Sequence, residues 1–257
     1  MLDPNVARAL IAETCQNLEQ MEVVSKRGFR LVVRRPAPDG TSVIVKLWAR
    51  PGWKGLLRRL LGQSAARYEY RNLRLMERLG VPAPRAFAYG RAAQNAGGYT
   101  DAMVMEDLGE IETAIEYLKG RIAAGDEAAV TGFQDGLIAM TGILSRARII
   151  DFDHSMVNVV VKDGVPIRLD LEKARRVPWI GLRPNLYGEM IGQFLATFVF
   201  AVQPDVARAA RFAEQLFAEI TPAPSIVRRA QAHLDSRMKR QREGTGIDMA
   251  LKLPPGG

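Results

Sequence analysis

Asp153, Asn158 and Asp170 stand at the ends of short apolar runs in D-F-D-H-S-M-V-N-V-V-V-K-D-G-V-P-I-R-L-D-L-E-K-A-R, residues 151–175. Four residues separate the first two and eleven separate the second two. V-N-V-V-V and V-P-I-R-L-D-L read as strands, with K-D-G between them as a hairpin turn. A hairpin folds the chain back on itself, so Asn158 and Asp170 are expected to be neighbours. Two carboxylates and an amide around one hairpin make an oxygen-rich pocket suited to Mg²⁺ and a polyphosphate.

Such chemistry needs elements that hold the phosphates and frame the site, and three segments offer them. T-S-V-I-V-K-L-W (Thr41 to Trp48) is a β-branched, apolar strand around Lys46. Taken alone, Lys46 is a solvent-face lysine. A-A-R-Y-E-Y-R-N-L-R-L-M-E-R-L-G carries Tyr70, Leu73, Met76 and Leu79 at helical spacing and stops at Gly80, with Glu69 near its start. Taken alone, Glu69 is a helix-surface glutamate. A-M-V-M-E-D-L-G (Ala102 to Gly109) is an apolar strand that runs into Glu106, Asp107, Leu108 and a glycine; taken alone, it is a strand end.

Their order changes that reading. Lysine strand, glutamate helix, V-P-A-P-R-A-F-A-Y-G, strand with an acidic end, two helical stretches, then D-x4-N and D-L-E follow the order of protein-kinase-like phosphotransferases throughout. More narrowly, Y-E-Y-R-N-L-R-L-M-E-R-L-G-V-P-A-P-R-A-F-A-Y-G and M-V-M-E-D-L-G resemble the lipopolysaccharide kinase family, which phosphorylates heptose or Kdo sugars of the lipopolysaccharide inner core. The resemblance runs from Val43 to Arg175. L-D-L-E also resembles the metal segment of small-molecule kinases such as the aminoglycoside phosphotransferases.

The resemblance implies an α+β, bilobal protein-kinase-like fold, with a small β-rich lobe (residues 1–106) that binds ATP and a mostly helical lobe (107–257). It implies ATP and Mg²⁺ as cofactors and a sugar or lipid-linked sugar as acceptor. By the same resemblance Lys46 binds the α and β phosphates and Glu69 fixes Lys46. The backbone from Glu106 to Leu108 meets the adenine, Asn158 and Asp170 hold Mg²⁺, and Asp153 is the catalytic base. Glu172, where a glycine is usual, is a further candidate for the metal or its water, and His154 is read as structural. Two positions depart from the pattern. Asp151 stands where a histidine is usual, and the segment Val24–Arg35 offers only Gly28 in place of G-x-G-x-x-G.

Composition fits an enzyme of this kind. A chain of 257 residues can bury a large core or form two lobes. At 47% hydrophobic and 25% charged residues it is not a disordered chain. Cys15 is the single cysteine, so no internal disulfide forms, and with two histidines it argues against a zinc site. M-L-D-P-N-V-A-R does not read as a signal peptide, and Met190–Val202 is too short and interrupted to span a bilayer. The expected location is cytoplasmic.

The formal charge of +8 asks for a partner. Arg50–Arg67 mixes Trp53, Leu56, Leu57, Leu60 and Leu61 with Lys54, Arg58 and Arg59. This basic amphipathic pattern fits an anionic membrane surface on the inner face of the inner membrane, the phosphates of a lipopolysaccharide core, or a solvated helix of the small lobe. Arg228–Arg242 reads as a solvated helix face, and no motif supports nucleic acid. Two other function classes stay open: a kinase of the same fold acting on a soluble small molecule, and a nucleotide-binding pseudokinase, which Asp151 and the missing glycine loop favour.

Overall fold

Asp3 caps the first helix through its side chain, which accepts from the Asn5 amide at 2.7 Å, and Pro4 opens it without a donor to satisfy. This is α1 (Pro4–Gln16) in a computed structural model that describes residues 2–49, 53, 64–92, 98–180, 183–245 and 250–256. Most of the basic stretch Arg50–Arg67 lies outside the described residues, as do residues 93–97 of A-A-Q-N-A-G-G (Ala92 to Gly98), which the sequence reads as a loop between strands. The chain divides into two units, Met1–Gly109 and Glu110–Gly257.

The first unit is an antiparallel sheet with a helix on each face. Its strands are β1 (Glu22–Arg27), β2 (Arg30–Pro36), β3 (Ser42–Ala49), β4 (Ala86–Arg91) and β5 (Tyr99–Glu106), in the order β1-β2-β3-β5-β4. The central strand β3 is buried nearly throughout. Because successive side chains alternate faces, Val43, Val45 and Leu47 form one set, and they share a core with Ala7, Leu10, Ile11 and Cys15 of α1. Ile44, Lys46 and Trp48 form the other set, on the face that meets α2 (Ala65–Leu79). Ser64 caps α2, and Gly80, left-handed at φ 73°, ends it as the sequence suggests. Strand β1 was not expected. E-V-V-S-K-R lies mostly exposed at the sheet edge and carries little apolar patterning, and Gly28, at φ 53°, turns it back into β2.

The second unit is mostly helical. Its helices are α3 (Ala114–Ala123), α4 (Glu127–Arg146), α5 (Pro184–Val202), α6 (Val206–Ile220) and α7 (Pro224–Thr245). The apolar α5 is its spine, and α7 crosses it closely. A Cβ on Gly192 would lie 2.6 Å from the Ala230 carbonyl oxygen, and one on Gly188 would lie 2.7 Å from the Arg229 Cβ. Only glycine permits that approach. Small sheets sit among the helices: β6 (Glu112–Thr113), β8 (Val159–Lys162) and β9 (Val165–Arg168) in the order β6-β8-β9, and β7 (Ile149–Asp151) with β10 (Ala174–Arg176). The hairpin β8–β9 turns at Asp163 and Gly164, both at positive φ, as expected of a two-residue Asp-Gly turn. Both strands are shorter than V-N-V-V-V and V-P-I-R-L-D-L suggest. Met156–Asn158 is a 3₁₀ turn before β8, and Asp170, left-handed at φ 53°, ends the extended chain and opens a second turn, Leu171–Lys173.

Residues 250–256 are tied to α7. Leu251 is buried, and the Gln231 side-chain amide bonds Leu251 O at 2.9 Å and Leu253 N at 2.8 Å. Among the described residues no helix is long and apolar enough to cross a membrane.

Candidate active site

In the first unit Lys46 is 5% exposed and Glu69 is 1% exposed, and Lys46 Nζ donates to Glu69 Oε1 at 2.6 Å. The pairing follows from register. Lys46 is central in β3, opposite Val32 and Met103, and Glu69 is on the buried stripe of α2 with Ala65, Ala66, Leu73 and Met76. Removing two charges from water is costly, and well-packed hydrophobic residues would serve the fold as well or better. Neither residue is therefore the plain surface group it resembles in isolation.

At the end of β5, Glu106 uses its side chain locally, accepting from Arg85 N at 3.0 Å. Leu108 is buried. Asp107, for which the sequence reading used only the backbone, accepts from Ser42 Oγ at 2.7 Å, Arg34 Nε at 2.6 Å and Gly109 N at 3.0 Å. Burial works to raise its carboxyl, but the hydrogen bonds from Ser42 and Arg34 prevail and hold it below the usual range. This clasp fixes the strand end to β2 and β3.

In the second unit the loop from Asp151 to Asn158 is organised by a residue that sequence reasoning missed. Arg168, the last residue of β9, is fully buried. It donates to Asp151 Oδ2 at 2.5 Å, to the Asp153 carbonyl at 2.7 Å and to the Asn158 carbonyl at 2.7 Å. The other Asp151 oxygen accepts from Asp153 N at 3.1 Å. Asp151 thus shapes the loop from the position where a histidine is usual, with Arg168 as its partner. A signal was present: an arginine flanked by Ile167 and Leu169 in an apolar strand, with an unexpected acid at 151.

Two bonds besides that from Arg168 bear on Asn158. Its side-chain Nδ2 donates to the Asp153 carbonyl at 3.0 Å, and its own carbonyl accepts from Leu169 N at 2.9 Å. The second bond puts Asn158 beside the residue preceding Asp170, as the hairpin predicts. With Nδ2 engaged, Oδ1 is the end left to meet a cation. Among the described residues no three His, Cys, Asp or Glu side chains cluster as a metal site. One carboxylate and one amide oxygen nonetheless suit Mg²⁺, which completes its shell with water and phosphate oxygens. The donor set fits the ion.

His154 is fully buried and stacks on Phe194 at 4.3 Å. Thr141 Oγ1 donates to Leu137 O at 2.9 Å, so it accepts from His154 Nε2, 3.1 Å away. Burial, with a smaller contribution from the Arg168 charge, holds His154 well below its ordinary 6.5, so it is neutral at pH 7. The Asp153 carboxylate faces Lys173, whose Nζ lies 3.0 Å from Oδ2 and 3.1 Å from Oδ1.

An antiparallel sheet carrying a buried Lys–Glu pair, followed by a helical unit with D-x4-N and a metal-type aspartate, defines a protein-kinase-like fold. A solved structure described as WaaP in complex with acyl carrier protein shares it. The TM-score is 0.63 at 17% identity, over 95% of this chain and 98% of that one. The sequence model of the lipopolysaccharide kinase (Kdo/WaaP) family matches residues 17–159, more than half of the chain, and the chain belongs to that family of kinases. The matched stretch contains Lys46, Glu69, Asp153 and Asn158 and ends before Asp170. A search of curated proteins gave no match.

Proposed function

We propose that this kinase transfers the γ-phosphoryl group of ATP, with Mg²⁺, to a sugar hydroxyl of the lipopolysaccharide inner core. The observation that carries the reading is the buried Lys46–Glu69 pair, which costs the fold desolvation and supplies a fixed cation for nucleotide phosphates. Lys46 binds the α and β phosphates and Glu69 sets its position. The backbone from Glu106 to Leu108 receives the adenine. Asn158 and Asp170 would hold Mg²⁺, with Glu172 two residues beyond Asp170 assisting it, and the ion would neutralise phosphate charge. Asp153 accepts a hydrogen bond from the acceptor hydroxyl and takes its proton.

Asp151 does not count against activity on this reading, because Arg168 and Asp151 together place Asp153 and Asn158. The protein works in the cytoplasm, peripherally on the inner face of the inner membrane. The basic stretch Arg50–Arg67 contacts anionic lipid there, which flotation with anionic against neutral vesicles tests. Since the WaaP structure is a complex with acyl carrier protein, we extend the partners to a carrier of that kind, testable by co-elution.

The central experiment is transfer of γ-labelled phosphate from Mg-ATP to extracted lipopolysaccharide lacking core phosphate. Asp153→Asn is expected to lower transfer by about 10²–10⁴-fold, the usual contribution of a general base, with ATP binding retained. Equal rates in wild type and variant overturn the assignment of Asp153. Label that moves only to soluble sugars or amino alcohols replaces the acceptor.

A further inference from the structure

We propose that Lys173 is a further catalytic residue of this transfer: it holds the Asp153 carboxylate and gives its ammonium to the phosphoryl group as that group moves. The inference rests on the phosphotransferase reading above and assigns a residue that the order of motifs does not reveal. Two independent features put Lys173 there. Pairing of Ala174 in β10 with Asp151 in β7 sets Lys173 alongside Phe152 and Asp153. The 3₁₀ turn Leu171–Lys173, which Asp170 opens in a left-handed conformation, then directs its side chain to both carboxylate oxygens at 3.0 and 3.1 Å.

Stability is a poor reason for this contact. The Lys173 side chain is 59% exposed and that of Asp153 is 36% exposed, and exposed pairs contribute little to stability. Chemistry is a better one. A base must lie within hydrogen-bond reach of the acceptor oxygen, and that oxygen bonds to phosphorus in the transition state. The phosphoryl oxygens therefore pass close to Asp153, and an ammonium already 3.0 Å from that carboxylate lies within their reach. Lysine carries three N–H donors, so two can stay on the carboxylate while the third meets a phosphoryl oxygen.

The step balances simply. The acceptor hydroxyl oxygen forms the new O–P bond and its proton passes to Asp153. The bond from the γ-phosphorus to the bridging oxygen breaks, and ADP leaves with the electron pair. Protonation removes the negative charge of Asp153, so the attraction of Lys173 shifts to the negative oxygens of the transferring phosphoryl group.

Lys173→Ala, Lys173→Arg and Lys173→Cys test this with Mg-ATP and core-phosphate-free lipopolysaccharide, beside wild type and Asp153→Asn. Lys173→Ala is expected to lose about 100-fold in kcat, as for removal of one transition-state donor, with the ATP KM and melting temperature unchanged. Binding of ADP with magnesium and aluminium fluoride should weaken while ADP alone binds as before. Lys173→Arg should recover part of the rate. Aminoethylation of Lys173→Cys, which rebuilds a lysine-like side chain, should restore most of it; Cys15, the single native cysteine, is buried. Full kcat in Lys173→Ala beside an inactive Asp153→Asn overturns the role of Lys173 and leaves the kinase reading intact. Absence of Asp153-dependent transfer in the wild type overturns both.

Discussion

Two buried ion pairs, one in each unit, do different work. Lys46–Glu69 joins a strand to a helix, both of which are regular elements with their backbone groups already paired. Arg168–Asp151 lies under a loop with little regular structure, and Arg168 also binds the carbonyls of Asp153 and Asn158. On the proposed reading the first pair holds a cation for nucleotide phosphates, between elements whose backbone groups are already paired. The second gives a loop its shape by adding a charged donor to two of its carbonyls. Burial of charge therefore does not by itself say whether a pair serves chemistry or architecture; its other partners do.

Removing Arg168 should have the largest effect on the fold. Arg168→Met leaves Asp151 buried without its cation and takes one of two donors from each of the Asp153 and Asn158 carbonyls, for a loss of about 3–5 kcal/mol. Chemical denaturation checks this, and a loss below about 1 kcal/mol would erase the distinction between the two pairs. The double replacement Lys46→Met with Glu69→Leu makes the opposite case. Stability should hold or rise, since removing both charges leaves neither buried alone and apolar side chains suit the site, while transfer falls by about 10²–10³-fold. Calorimetry and rate measurements on one sample separate the two effects.

The smallest effect concerns pH at His154, which Arg168 influences through its charge. The folded state keeps this imidazole neutral well below 6.5, whereas the unfolded chain protonates it near 6.5. The unfolded state therefore binds more protons in acid. Stability is complete above pH 6.5 and falls below it by up to about 1.4 kcal/mol per pH unit, until the folded-state value is reached. His154→Leu should flatten that part of the stability profile. A profile unchanged by the substitution would show that the ring is protonated in the folded protein.

The difference between the pairs also marks what the sequence made legible. Lys46 and Glu69 were readable because strand and helix patterns surround them and the order of segments brings them together. Asn158 and the Asp170 segment were readable because Asp-Gly commits the chain to a tight hairpin. Arg168 was not, since in V-P-I-R-L-D-L an arginine fits the alternation of a half-exposed strand, and its inward side depends on β8 and α4 packed against β9. Lys173 escaped because its position depends on the pairing of β10 with β7, two three-residue strands too short to show a period. Strand β1 escaped because an exposed edge strand needs no apolar pattern. Local periodicity was visible, and features set by distant pairing were not.

The helix α1 has one more consequence, in the order of synthesis. Its apolar face rests on β4 and β5, the last of which ends at Glu106. On a ribosome adding about 5–20 residues per second, roughly 5–20 s pass between completion of the helix and arrival of its sheet. For that interval the helix lacks the two strands it rests on, and the nascent chain is most exposed to misassembly before they arrive.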